Sequence, residues 1–311
     1  MVKTLYNLLR LLRPRQWVKN FAIFAAIVFT GELFNIPLLS KVVLGFFVFC
    51  GLSSGSYIIN DIFDVKNDRL HPFKRFRPIA SGEIKPVFAG GVSIILITGA
   101  LFLSLYVTPT FFLVAIVYLL LQFFYSTLLK SITVIDILAI AAGYILRVYA
   151  GEFATGLHIS VWMLLTTISI SLFLAIGKRR SELTLISGRK GDIAATRKTL
   201  SHYSDRLLDV YASIFATGTF ISYALFTFLE TPRGISLDVL LPDFFPAFFE
   251  RKWLMITIIP VVYGLMRYLQ DIYEKHEGES PEKVLFSDKP LLLTIFVWGI
   301  LVITIIYVLG G

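Results

Sequence analysis

Tyr57-Ile58-Ile59-Asn60-Asp61-Ile62-Phe63-Asp64-Val65-Lys66-Asn67-Asp68-Arg69 closes a long apolar run, and its acids recur at spacings of three and four. On a helix that spacing brings Asn60, Asp61, Asp64 and Asp68 to one face. Carboxylates sharing a face repel one another by a few tenths of a kcal/mol per pair. At the edge of a bilayer the cost is greater, and such residues are rare there unless functional. A Mg2+ ion removes the conflict, because it takes oxygen ligands from one or two carboxylates plus substrate phosphates. The competing reading is a helix end whose acids pair with Arg69, Lys74, Arg75 and Arg77, which suits one acid better than three.

Working outward, hydrophobic residues make up 56% of the 311 positions and charged residues 16%. A soluble domain carries about 25% charged residues, so the balance points to a membrane protein. A hydrocarbon core about 30 Å thick needs roughly 20 apolar residues per helix. Scanning on that basis predicts nine spans, at 18–39, 42–64, 87–106, 110–128, 134–151, 159–177, 209–229, 253–270 and 290–309. The fold class expected is therefore an all-α integral membrane protein, with residues 1–311 as one polytopic domain.

Of the 29 Lys and Arg residues, only Lys41, Arg233, Arg251 and Lys252 fall in the odd-numbered connections, and Arg147 lies within a span. The rest crowd the N-terminal segment and the loops after even-numbered spans, which places that side in the cytoplasm. The expected location is the cell inner membrane, multi-pass, with a site facing the cytoplasm. The net charge of +8 is then topological and implies no nucleic acid. Cys50, the single cysteine, sits in an apolar run and reads as packing. No cleavable signal peptide is evident. The segment 231–252 reads as interfacial. The polar loops 65–86 and 178–208 have the composition to cap a site, and the four histidines show no metal-ligand spacing.

After the acids comes His71-Pro72-Phe73-Lys74-Arg75-Phe76-Arg77-Pro78-Ile79-Ala80-Ser81-Gly82. Its three basic residues within four positions suit a phosphate clamp beside a metal, although topology alone could place any one of them there. Together, N-D-x-x-D-x-x-x-D and R-P-x-A-S-G resemble the first aspartate-rich motif of the UbiA superfamily. The resemblance covers essentially the whole chain. It implies about nine helices around a central cavity, a Mg2+ cofactor, and a bound diphosphate. Asn60, Asp61, Asp64 and Asp68 would be the metal residues, and the three aspartates catalytic.

The aromatic prenyltransferases of that superfamily carry a second aspartate-rich motif after span six. Here that loop opens Gly177-Lys178-Arg179-Arg180-Ser181-Glu182, and Asp192, Asp205 and Asp209 do not reproduce the spacing. Other blocks are similar to the decaprenyl-phosphate phosphoribosyltransferase branch. They are Arg13-Pro14-Arg15-Gln16-Trp17-Val18-Lys19-Asn20, Tyr57 to Asp68 with the basic stretch after it, Tyr125-Ser126 with Lys130 and Asp136, Arg147, and Gly177-Lys178-Arg179 with Glu182. The resemblance implies phosphoribosyl pyrophosphate as donor, a polyprenyl phosphate lipid as acceptor, and a product that feeds cell-wall arabinan. Alternatives are an aromatic prenyltransferase of the same fold and, from another class, a transporter, whose paired broken helices at midplane are not evident. A homo-oligomer is compatible with all of them.

On this reading Lys19, Tyr57, Asn60, Lys74, Arg75, Arg77, Lys130, Arg147, Lys178, Arg179 and Glu182 bind substrate. A donor with phosphate at both ends of a ribose needs a metal-free basic pocket for the second end, and Lys19, Lys130 and Arg147 are its candidates. Each has a plainer reading. Lys19 can snorkel, Lys130 and Asp136 can be boundary charges, Arg147 can reach the outer face, and Lys178 to Arg180 can be a stop-transfer cluster.

Overall fold

The computed structural model describes residues 2–70, 74–187, 202–230, 252–274 and 281–309. The expected interfacial segment 231–252, apart from Lys252, lies outside them, as do His71 and the stretch 188–201 of the second polar loop. In chain order the helices are α1 (Val2–Leu12), α2 (Ala25–Phe29), α3 (Ile36–Phe63), α4 (Val65–Leu70), α5 (Pro86–Ser104), α6 (Pro109–Thr127) and α7 (Ile135–Thr155). They continue with α8 (Val161–Ser187), α9 (Asp205–Leu229), α10 (Ile258–Glu274), α11 (Pro281–Ser287) and α12 (Lys289–Thr304).

Among the described residues eight helices are long and apolar enough to cross a membrane. The remaining expected span is built differently. Pro14–Phe24 is a 3-10 helix that runs on into α2. At about 2.0 Å per residue for the first part and 1.5 Å for the second, the segment covers about 30 Å, a full hydrocarbon thickness. Its stretching lets it pass close to α7. A Cβ on Gly151 would stand 1.9 Å from the backbone oxygen of Ile23, so only glycine allows this crossing.

Local chemistry sets where the helices start. Thr108 caps α6 by accepting from the Phe111 N–H at 3.0 Å, with Pro109 in the first turn. Ser204 caps α9 through Leu207, and Asp288 caps α12 through Leu291 at 2.8 Å, again followed by a proline. These caps satisfy donors that a helix cannot pair internally, and proline costs nothing at that position. The outer surface is apolar: Val87, Ile95 and Ile259 are more than 70% exposed, as lipid-facing side chains should be.

Polar side chains turn inward instead. Arg147 in the middle of α7 is 3% exposed and donates to Asn20 at 2.7 Å, the Gly143 carbonyl at 2.5 Å and the Tyr118 hydroxyl at 2.8 Å. It ties α7 to the first segment and to α6, and does not snorkel outward. Asp136, for which a boundary charge is the plainer reading of the sequence, is fully buried. It accepts from Tyr203 and lies 2.6 Å from Arg179.

Candidate active site

The C-terminal ends of α3 and α6 and the last turns of α8 meet at one end of the bundle. Helix C-termini carry partial negative charge, so cations are favoured here even before side chains are counted. The chain from α1 reaches this end through Arg13, whose φ of 54° is in the left-handed region. That backbone costs a non-glycine residue about 1–2 kcal/mol. It aims the guanidinium at Asp61, where Nη2 donates to both carboxylate oxygens at 2.6 Å.

The acidic stripe is broken rather than continuous. α3 ends at Phe63, Asp64 takes φ −89° and ψ 1°, and α4 restarts at Val65. Asp61 and Asp68 remain linked, because Arg77 donates to them at 3.0 and 2.6 Å. Asp64 turns elsewhere: it lies 2.5 Å from the Lys130 ammonium and accepts from Asn60 Nδ2 at 3.1 Å. Each carboxylate thus has a cationic neighbour, which offsets their mutual repulsion. Among the described residues no three acidic, histidine or cysteine side chains converge as a ready-made metal cluster. Burial pushes the Asp68 carboxyl above its ordinary value, with Arg77 pulling the other way and Asp61 adding to the rise.

A cavity of about 300 Å3 opens beside these pairs. Its acidic and amide wall is Asn60, Asp64, Asn67 and Asp68 with Glu182 opposite, and its basic wall is Arg13, Lys74, Arg77, Lys130 and Lys178. Ser56, Tyr57, Tyr125, Ser126, Ser131 and Gln122 complete it with hydroxyls and an amide. Asn60 Oδ1 is buried with no hydrogen-bond partner, an acceptor on this wall left for a cation or a donor. Together with the Asp64 and Asp68 carboxylates it makes an all-oxygen donor set, which fits a hard divalent ion.

Of the residues expected from sequence, Tyr57, Asn60, Asp64, Asp68, Lys74, Arg77, Lys130, Lys178 and Glu182 line this cavity. Asp61 does not: it is 2% exposed and sits behind the wall, where it orients Arg13 and Arg77. Arg75 stacks over Phe76 at 4.8 Å. Arg179 is fully buried between Asp136 and Glu182 and donates to Tyr125 at 3.0 Å, so it holds wall residues in place. Of the three candidates for a second basic pocket, Lys130 lines this cavity, and the other two lie elsewhere. Arg147 spends its donors inside the bundle, and Lys19 pairs with Glu282 at 2.9 Å beside a separate apolar cavity.

Sequence reasoning quoted Arg13 only within a larger block and passed over Gln122 and Glu282. Gln122 did carry a signal, as the lone amide in an apolar helix. Arg13 looked like one more topological charge. Glu282 follows Pro281 in a polar loop, and nothing in its neighbours marks it as a buried partner.

Comparison with known proteins gives the family and the fold. The profile described as the UbiA prenyltransferase family matches residues 20–288. A decaprenyl-phosphate phosphoribosyltransferase of Corynebacterium glutamicum is 35% identical over 307 residues, covering 97% of this chain and 87% of its own. Its namesake from Mycolicibacterium smegmatis is 35% identical, covering 94% and 90%. In three dimensions, a UbiA homolog from Archaeoglobus fulgidus bound to DMAPP and Mg2+ superposes with a TM-score of 0.67 at 20% identity, covering 96% of this chain and 99% of that one.

Proposed function

The chain belongs to the UbiA prenyltransferase family and is an integral membrane protein, and we propose that it is a polyprenyl-phosphate phosphoribosyltransferase. It would move 5-phosphoribosyl from phosphoribosyl pyrophosphate to a polyprenyl phosphate, giving polyprenyl-phosphoryl ribose 5-phosphate for cell-wall arabinan. The names of the relatives at 35% identity support the reaction class. The observation that carries the reading is the cavity wall, where five basic side chains face three acidic ones. That excess suits a donor with three phosphoryl groups and an anionic acceptor better than it suits a lone allylic diphosphate.

The loop after α8 argues against the aromatic branch. Asp205 and Asp209 lie 2.9 and 2.8 Å from Arg180, so both are engaged in a surface network away from the cavity. Among the described residues after α8, neither aspartate lines the cavity, which supports the phosphoribosyl reading over the aromatic one.

Asn60, Asp64 and Asp68 would hold Mg2+, and when bound it would supply a counter-charge for the diphosphate. The chain's own residues do the rest. Arg13 and Arg77, placed in advance by Asp61 and Asp68, donate charge-assisted hydrogen bonds to the diphosphate end, and Lys74 stands on the same wall. Lys130 and Lys178 stand on the wall for the other phosphates. As the bond from the anomeric carbon to the diphosphate oxygen breaks, its electron pair leaves with the diphosphate, and these cations stabilise the growing charge. An oxygen of the acceptor phosphate then bonds to that carbon from the opposite side and inverts it. The acceptor is already anionic near neutral pH, so the step needs no general base.

The single membrane domain would be capped by loops 65–86 and 178–208. The crowding of basic residues at the cavity end supports a cytoplasmic opening in the inner membrane. In liposomes, the purified protein should consume phosphoribosyl pyrophosphate only when polyprenyl phosphate and Mg2+ are both present. Prenylation of 4-hydroxybenzoate without phosphoribosyl transfer would overturn the assignment.

A further inference from the structure

Among the described residues, only Arg13 and Val134 have a positive φ without being glycine, and Val134 stands at φ 70° and ψ −47°. A side chain branched at Cβ makes that conformation costly. Residues held in such conformations persist only where their surroundings enforce them, and they cluster at functional sites. Val134 ends the connection between α6 and α7, residues 128–134. Its own side chain is 44% exposed, so core packing does not enforce its shape. A hydroxyl does: the Tyr203 oxygen, just ahead of α9, accepts from the Val134 N–H at 2.7 Å.

We propose that Tyr203 is a positioning residue for the donor, whose hydroxyl pins the Val134 turn and thereby fixes Lys130 and Ser131 on the cavity wall. The proposal rests on the donor assigned under the proposed function, and adds what holds part of its binding wall in shape. Lys130 and Ser131 belong to the 3-10 turn Leu129–Ser131 in the same connection, and both line the polar cavity. With α6 and α7 packed at either end, a backbone change at Val134 has to be absorbed by this turn. Tyr203 contributes nothing to the cavity lining itself. It is buried, with its ring in the core beside Ile137, Leu183 and Leu208.

The hydroxyl is oriented from behind. It donates to Asp136 Oδ1 at 2.8 Å, and the other Asp136 oxygen is held by Arg179 at 2.6 Å. A carboxylate in an ion pair only accepts, so the hydroxyl hydrogen is committed to Asp136 and a lone pair is left to face the Val134 N–H. Arg179 also donates to Tyr125 and Glu182, which line the cavity. The buried ion pair that orients the hydroxyl therefore also sets these two wall residues. Without the hydroxyl, a valine at position 134 relaxes towards negative φ, and the turn carrying Lys130 shifts with it. A glycine there has no such tendency, because positive φ costs it nothing.

The test compares full-length wild type, Tyr203→Phe, and Tyr203→Phe combined with Val134→Gly, all in liposomes. Phenylalanine keeps the buried ring and removes only the hydroxyl. Tyr203→Phe should raise the KM for phosphoribosyl pyrophosphate about tenfold, the worth of one hydrogen bond, with the KM for polyprenyl phosphate within about twofold of wild type. Adding Val134→Gly should bring the donor KM back to within about threefold of wild type. A general loosening of the fold would give no such recovery, since glycine in a connection otherwise only adds freedom. An unchanged donor KM in Tyr203→Phe, equal rises in both KM values, or no recovery in the double variant would each overturn the proposal. Hydrogen exchange across residues 128–137, read by mass spectrometry without substrate, should quicken in Tyr203→Phe, and unchanged exchange would overturn it too. A wild-type protein that transfers no phosphoribosyl to polyprenyl phosphate defeats the functional assignment instead, and the exchange comparison still reports whether Tyr203 pins the turn.

Discussion

Asp61 and Asp64 are three residues apart, yet the structure gives them different surroundings, and neutralising each should have a different consequence. Asp61 is 2% exposed and receives Arg13 at 2.6 Å and Arg77 at 3.0 Å. Removing one member of a buried pair costs about 3–5 kcal/mol, because the remaining charge is left uncompensated. Here the side chains of Arg13 and Arg77 are 20% and 24% exposed, and Arg77 keeps Asp68. The low end, about 2–3 kcal/mol, is therefore the right scale for Asp61→Asn. At 2–4 °C per kcal/mol, melting in detergent should fall by about 5–10 °C. The Asp64 side chain is 22% exposed on the cavity wall, and asparagine there preserves an acceptor and the helix end. Asp64→Asn should melt within about 2 °C of wild type, at most about 0.5–1 kcal/mol on the same scale, while losing Mg2+-dependent binding of diphosphate in calorimetry. The opposite outcome, with Asp64→Asn unstable and Asp61→Asn stable but blind to Mg2+, would refute the division of labour between them.

Lys130 lies 2.5 Å from Asp64, so it should compete with a cation for that carboxylate. Lys130→Met is expected to bind Mg2+ more tightly yet to weaken phosphoribosyl pyrophosphate roughly ten- to a hundredfold, the value of one charge-assisted contact; calorimetry showing both affinities unchanged would remove Lys130 from the site. Burial alone would raise the Glu282 carboxyl, but the Lys19 ammonium wins and holds it down to about 2. A carboxyl with a depressed value contributes its stability in full above its unfolded value near ~4.3 and loses it as pH falls towards 2. The advantage of wild type over Glu282→Gln, on the order of 3 kcal/mol, should thus be constant from pH 8 to 5 and shrink below about pH 4, as read from melting curves across that range. Gly151→Ala sets a methyl 1.9 Å from the Ile23 oxygen and should cost about 3 kcal/mol or more in thermal unfolding; a variant as stable as wild type would mean that α7 and the first segment separate freely.

The membrane architecture was legible because hydrophobic length is a one-dimensional property. The eight long helices fall where apolar runs predict them, since each run must be about as long as the bilayer is thick. The first segment was legible as a span but not as a 3-10 helix. Pro14 and the crossing at Gly151 set its geometry, and the second of these is a contact between residues far apart in the chain. The candidate wall was legible to the extent that its residues are consecutive or one turn apart. Asn60, Asp64 and Asp68 with Lys74 and Arg77 belong to one short stretch, and the structure brings all five to the cavity.

Pairing was not legible, because it is decided by which helix faces which. Spacing treats Asp61, Asp64 and Asp68 as equivalent, and an unbroken helix would keep them so. The break at Asp64 changes this: it turns one acid towards Lys130 on the far side and leaves the other two sharing Arg77. The same logic separates the basic residues. A guanidinium inside a bundle takes its partners locally: Arg147 donates to an amide, a carbonyl and a hydroxyl, and Arg179 donates to Tyr125 and Glu182 and pairs with Asp136. Lys74, Lys130 and Lys178, nearer water, line the cavity wall instead. Chain position alone ranks Arg179 and Lys178 together. Burial separates them: Arg179 supports Glu182 and Tyr125, and Lys178 lines the cavity.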